Sequence, residues 1–72
     1  MARIGFIGMG NMGYAILKGL LDSYRPEDLL FTDKSGERCE AVQKETGVSF
    51  LSGNAEVARN VKFLILAVKP IV

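Results

Sequence analysis

Residues 4–13 read Ile4-Gly5-Phe6-Ile7-Gly8-Met9-Gly10-Asn11-Met12-Gly13, and the fold follows from what bounds this stretch. Arg3 to Ile7 is a short apolar run ending in glycines, as suits a strand buried on both faces. From Asn11 to about Ser23 the apolar positions Met12, Ala15, Ile16, Gly19 and Leu20 recur at helical spacing, and Tyr24-Arg25-Pro26 marks the stop. A G-x-G-x-x-G pattern is weak alone, but directly between a strand and a helix it is a phosphate-binding turn. Gly8 permits the tight turn, Gly10 lets the backbone come against a pyrophosphate, and Gly13 lets helix and strand pack closely. The amides of Gly10 through Gly13 would point at the phosphates from the helix N-terminus, with the helix dipole adding attraction. No Lys-Ser or Lys-Thr follows, which excludes a nucleoside-triphosphate loop and leaves a dinucleotide.

Outward from the turn, strands and helices alternate. Leu29-Leu30-Phe31-Thr32 is a second strand, and Gly36 to Thr46 a second helix with Cys39, Val42 and Thr46 on one face, ended by Gly47. Val48-Ser49-Phe50-Leu51 makes a third strand, and Asn54 caps a brief helix through Arg59 with Glu56 in its first turn. Lys62 opens the most apolar segment, Phe63 to Val68, closed by Lys69-Pro70. The order βαβαβαβ implies an α/β fold of Rossmann type, with parallel pairing and spatial order 3-2-1-4. In a complete sheet strands 1 and 4 are central, and nothing after Pro70 covers the outer edge of strand 4. Residues 1–72 are therefore expected to be the N-terminal part of a dinucleotide-binding domain, with further strands beyond.

Composition narrows the partners. A chain of 72 residues is at most one small domain, and a unit this short hides only about 60% of the surface its unfolded form exposes. The net charge is +1 and no basic stripe is present, which points to a small-molecule partner, not to nucleic acid or a membrane surface. The single cysteine, Cys39, has no internal partner, and without histidine no metal site is expected. No segment resembles a signal-peptide core or the roughly 20 apolar residues of a membrane span, and a reducing, cytoplasmic compartment is expected.

The coenzyme signal is mixed. Asp33 stands 20 residues beyond Gly13, where an acid usually accepts hydrogen bonds from the adenosine ribose 2′-hydroxyl and favours NAD. Lys34, Ser35 and Arg38 crowd the same turn with the cations and hydroxyl that a 2′-phosphate needs. Plainer roles stand beside the functional ones: Asn11 and Asn54 as helix caps, Lys69 as a solvated lysine, Met9, Met12 and Cys39 as packing residues, and Tyr14 as a surface or subunit-contact residue.

The turn Gly10-Asn11-Met12-Gly13, the following Ala15-Ile16 and Gly19-Leu20, and Leu66-Ala67-Val68-Lys69-Pro70 together resemble the pyrroline-5-carboxylate reductase family over the whole chain. The resemblance implies hydride transfer from a reduced nicotinamide to the imine carbon of 1-pyrroline-5-carboxylate, giving L-proline. It puts Ile7, Gly8, Met9, Gly10, Asn11 and Met12 on the pyrophosphate and Asn54 near the adenosine end. Ala67, Val68, Lys69 and Pro70 would lie by the nicotinamide and its ribose. The substrate pocket and dimer interface would belong to a helical C-terminal domain, so no catalytic residue is nominated here and a homo-oligomer is expected. NADP is expected as cofactor with NAD also accepted, Asp33 limiting the preference for NADPH by charge repulsion. A hydroxyacid-type dehydrogenase and a non-catalytic dinucleotide-sensing module stay open as alternatives.

Overall fold

The computed structural model describes residues 2–67. β1 (Ala2–Ile7) leads through the glycine turn into α1 (Asn11–Leu20); β2 (Leu29–Thr32), preceded by a 3-10 turn at Pro26–Asp28, leads into α2 (Gly36–Thr46). β3 (Ser49–Phe50), α3 (Asn54–Arg59) and β4 (Val61–Leu66) follow. The four strands form one parallel sheet in the order β3-β2-β1-β4, as expected. Boundaries are close where chemistry marks them. Ser35 caps α2 through its Oγ, which accepts from the Arg38 N–H at 3.2 Å, and Gly47 ends α2 with φ 79°, a left-handed conformation that suits glycine.

The registers pair Ile4 with Leu29 and Phe63, and Phe6 with Phe31 and Ile65, so these residues share one face of the sheet. Leu17 of α1 and Cys39 and Val42 of α2 cover that face and form the core with Ile4, Phe6, Met9, Leu29, Phe31 and Val48. On the other face α3 lies against β1, where the space left by Gly5 is filled by methyls of Val57 and Val61. The helices thus sandwich the sheet, and the carboxyl ends of β1, β2 and β4 meet at one rim.

Four expectations are corrected. α1 ends at Leu20, and its buried face is Gly13 and Leu17, not the stripe Met12, Ala15, Ile16 and Gly19, all of which are exposed. Apolar residues surround this helix, so periodicity alone could not choose the face; Gly13 chooses it by allowing the closest approach. Met12 is 72% exposed and is no packing residue. β3 shrinks to two residues because its pairing with β2 spans only Leu30 with Ser49 and Phe31 with Phe50. Neither asparagine is a cap: Gly10 and Gly53 hold the N-cap positions in extended conformation, and Asn11 and Asn54 are the first helical residues.

Candidate functional site

The glycine turn is built from the ends of the strands. The Gly8 N–H donates to the Thr32 carbonyl at 2.9 Å and the Ala67 N–H to the Ile7 carbonyl at 2.8 Å, continuing the sheet's bonding one step past β1 on each side. Gly8 has φ 96°, which a side chain would strain, and this residue turns the chain from β1 toward α1. A Cβ on Gly13 would sit 3.0 Å from the Ala67 Cβ and 3.0 Å from the Gly8 carbonyl oxygen. The third glycine therefore seats α1 directly on the turn and on the residue that follows β4.

Gly10 differs from both. Among the described residues a Cβ there meets nothing within 4 Å, so they leave the space beside the α1 N-cap open. The N–H groups of Asn11, Met12 and Gly13 belong to the first helical turn, which has no intrahelical acceptors, and they carry the positive end of the helix dipole. Open space, free donors and a favourable dipole fit a phosphate group, and the Cβ-free Gly10 lets it approach the backbone. Gly8, Gly10, Asn11, Met12 and Gly13 are thus gathered at one rim, and Ala67 joins them through Gly13 and Ile7.

Two members of the turn are committed to the protein itself. Met9 is fully buried, its side chain in the core; its N–H donates to Asp33 Oδ2 at 2.5 Å and its carbonyl accepts from Arg38 Nε at 2.9 Å. The Ile7 carbonyl is used by Ala67. Asp33 is half-buried beside the turn, and its other oxygen accepts from the Ser35 N–H at 3.0 Å. Lys34 and Ser35 are exposed on the loop between β2 and α2, at the same rim. Asn54 is exposed at the start of α3, on the opposite face of the sheet from α1. Val68, Lys69 and Pro70 lie outside the described residues.

Sequence reasoning set Arg38 beside a possible 2′-phosphate but missed its bond to the turn. The guanidinium lies 5.2 Å from the Tyr14 ring centroid, an attractive cation–π placement. The neighbouring Glu45 carboxylate, helped by desolvation, holds the Tyr14 hydroxyl above its ordinary pKa. Cys39 is buried in the core, as its packing role implied, and burial raises its thiol pKa. Among the described residues no group of three acidic, histidine or cysteine side chains could hold a metal ion, and no helix is long and apolar enough to cross a membrane. A hollow of about 400 Å³ lined by Ala2, Leu29, Ser49, Glu56 and Asn60 lies at the amino ends of the strands, the far side from the glycine turn.

A parallel sheet ordered 3-2-1-4, with a glycine turn feeding an open helix N-terminus at its carboxyl rim, defines a nucleotide-binding α/β fold of Rossmann type. Residues 3–72 match the family described as NADP oxidoreductase, coenzyme F420-dependent, and the chain belongs to that family. It is 36% identical over 70 residues to pyrroline-5-carboxylate reductase of Methanosarcina acetivorans, the match covering 94% of this chain and 26% of that protein. The corresponding enzyme of Escherichia coli is 37% identical over 70 residues, with the same coverage. The structure of a pyrroline-5-carboxylate reductase from Coxiella burnetii superposes with a TM-score of 0.88 at 34% identity, covering 96% of this chain and 26% of that one. The chain spans about a quarter of the length of these relatives.

Proposed function

We propose that this chain is the coenzyme-binding part of a pyrroline-5-carboxylate reductase, which reduces 1-pyrroline-5-carboxylate to L-proline. The observation that carries the reading is the open space before Gly10 at the α1 N-terminus, with Ala67 docked on Gly13, in a chain similar to reductases of that name. When bound, a reduced nicotinamide supplies a hydride to the imine carbon, which accepts it readily once its nitrogen is protonated. The residues of this chain bind and orient. Gly10, Asn11, Met12 and Gly13 offer backbone donors to the pyrophosphate, while Gly8 and the backbone of Ile7 and Met9 shape the turn. Lys34 and Ser35, with Asp33 behind them, border the adenosine ribose; Asn54 contributes near the adenosine end. Ala67, Val68, Lys69 and Pro70 flank the nicotinamide and its ribose.

NADP is the proposed cofactor, with NAD also accepted, because Lys34 and Ser35 are exposed at the rim where a 2′-phosphate would lie. The remaining strands, the substrate pocket and the subunit interface of a homo-oligomer belong to later parts of the protein, including a helical C-terminal domain. The buried free Cys39 suits a reducing, cytoplasmic setting. The deciding measurement is oxidation of NADPH and NADH by the intact protein with pyrroline-5-carboxylate. Turnover to proline is expected. Cofactor binding without turnover of this imine would favour a hydroxyacid-type dehydrogenase or a sensing module instead.

A further inference from the structure

We infer that Asp33 and Arg38 are positioning residues that aim the phosphate-binding turn by gripping Met9 from both sides, so that they serve NADH and NADPH alike. The inference rests on the dinucleotide reading of the turn. Both Asp33 oxygens are occupied by main-chain donors, the Met9 N–H at 2.5 Å and the Ser35 N–H at 3.0 Å. A carboxylate so engaged makes strong charge-assisted bonds, and with one main-chain donor on each oxygen its orientation is set by the turn and the α2 entry. Arg38 closes the other side through its Nε bond of 2.9 Å to the Met9 carbonyl. Its backbone is pinned by the Ser35 cap, and its guanidinium rests over Tyr14.

The two grips act on two successive peptide planes. No peptide bond among the described residues is cis, and in a trans peptide the C=O and the N–H point in opposite directions. Arg38 draws the Met9 carbonyl toward α2, so the Gly10 N–H of the same plane is turned away from α2, toward the open space before α1. Asp33 draws the Met9 N–H toward β2, so the Gly8 carbonyl of that plane faces the other way, where it lies 3.0 Å from the Cβ position of Gly13. The carboxylate and the guanidinium thus set the direction of a pyrophosphate donor without touching the cofactor. Because the pyrophosphate is common to both coenzymes, their loss should not discriminate between them.

The test uses the intact protein and its Asp33→Ala and Arg38→Met variants. Dissociation constants would be measured for NADPH, NADH, ADP-ribose, which has the pyrophosphate without a 2′-phosphate, and adenosine 2′-monophosphate, which has the reverse. The first three should weaken together by about tenfold, the scale of one hydrogen bond to a charged group, and the last should be unchanged. An Asp33→Ala variant whose NADPH-to-NADH affinity ratio rises tenfold, or an Arg38→Met variant that loses NADPH and adenosine 2′-monophosphate alone, would overturn the inference in favour of direct 2′ recognition. The milder Asp33→Asn and Arg38→Lys variants guard against loss of folding, with the amide resonances of Met9 and Gly10 as a readout independent of any ligand. Both resonances should shift in both variants, and unmoved resonances would sink the clamp. Failure of the parent protein to bind any dinucleotide would count against the proposed function, while the resonances would still judge the clamp.

Discussion

At the scale of single residues, Gly10 gives the cleanest test of the site because its missing side chain is not needed by the protein: the Cβ position is in open space and the backbone is extended. Gly10→Val should fold with an unchanged melting temperature and lose cofactor affinity by at least about a hundredfold, since its methyls would occupy the phosphate position. Parent-like affinity in a titration would remove the turn from the site. Cys39 makes the opposite case, a reactive residue type with nothing to react with. Burial raises its pKa and its Sγ lies 3.7 Å from the Asp33 carbonyl, so labelling by a thiol reagent at neutral pH should be slow until the protein unfolds. Fast labelling of native protein would mean that the core around α2 opens readily. The glycines were legible in the sequence because backbone geometry restricts residue choice directly. The second role of Asp33 was not, since the spacing that suggested a ribose contact also fits a bond to Met9, and only distances across the fold separate the two.

At the scale of elements, α1 carries two glycines with opposite consequences. A Cβ on Gly13 would sit 3.0 Å from the Ala67 Cβ and from the Gly8 carbonyl oxygen, whereas one on Gly19 would meet nothing within 4 Å among the described residues. Gly13→Ala should therefore destabilise by about 1–3 kcal/mol as α1 is pushed off the turn, less whatever helix propensity returns. Gly19→Ala should stabilise by about 0.5–1 kcal/mol. Urea midpoints moving in the same direction for both would show that Gly13 does not seat the helix. The same pair of positions explains what could and could not be read beforehand. β2 and α2 were recognisable to the residue because Asp, Ser and Gly punctuate them. The buried face of α1 was not, because Met12, Ala15 and Ile16 are as apolar as Leu17, and the deciding feature is the contact at Gly13.

At the scale of the whole molecule, the described sheet leaves large apolar side chains in water: Phe63 is 69% exposed and Leu66 67%, both on β4, and Met12 is 72% exposed on α1. Expressed as residues 1–72 alone, the chain should aggregate or melt at low temperature, because these surfaces are uncovered and a unit of this size is marginal. A cooperative, monomeric transition well above the usual mesophilic range would contradict this. The strand order was legible because alternating strands and helices admit few topologies; the exposure of β4 was only half legible, since a continuous apolar run cannot say which neighbours it has. The pairing of β1 with β4 joins the first and last strands of the described chain, with Ala2 opposite Val61 and Ile7 opposite Leu66. Contacts so distant in sequence should form late, after the helices and the nearer β1–β2 pairing have assembled. On the ribosome, the turn would leave the exit tunnel well before Ala67 and remain unfinished until that residue arrives to meet Gly13. A nascent chain stalled short of that residue should gain no protection from protease on addition of dinucleotide, whereas one released beyond the complete sheet should.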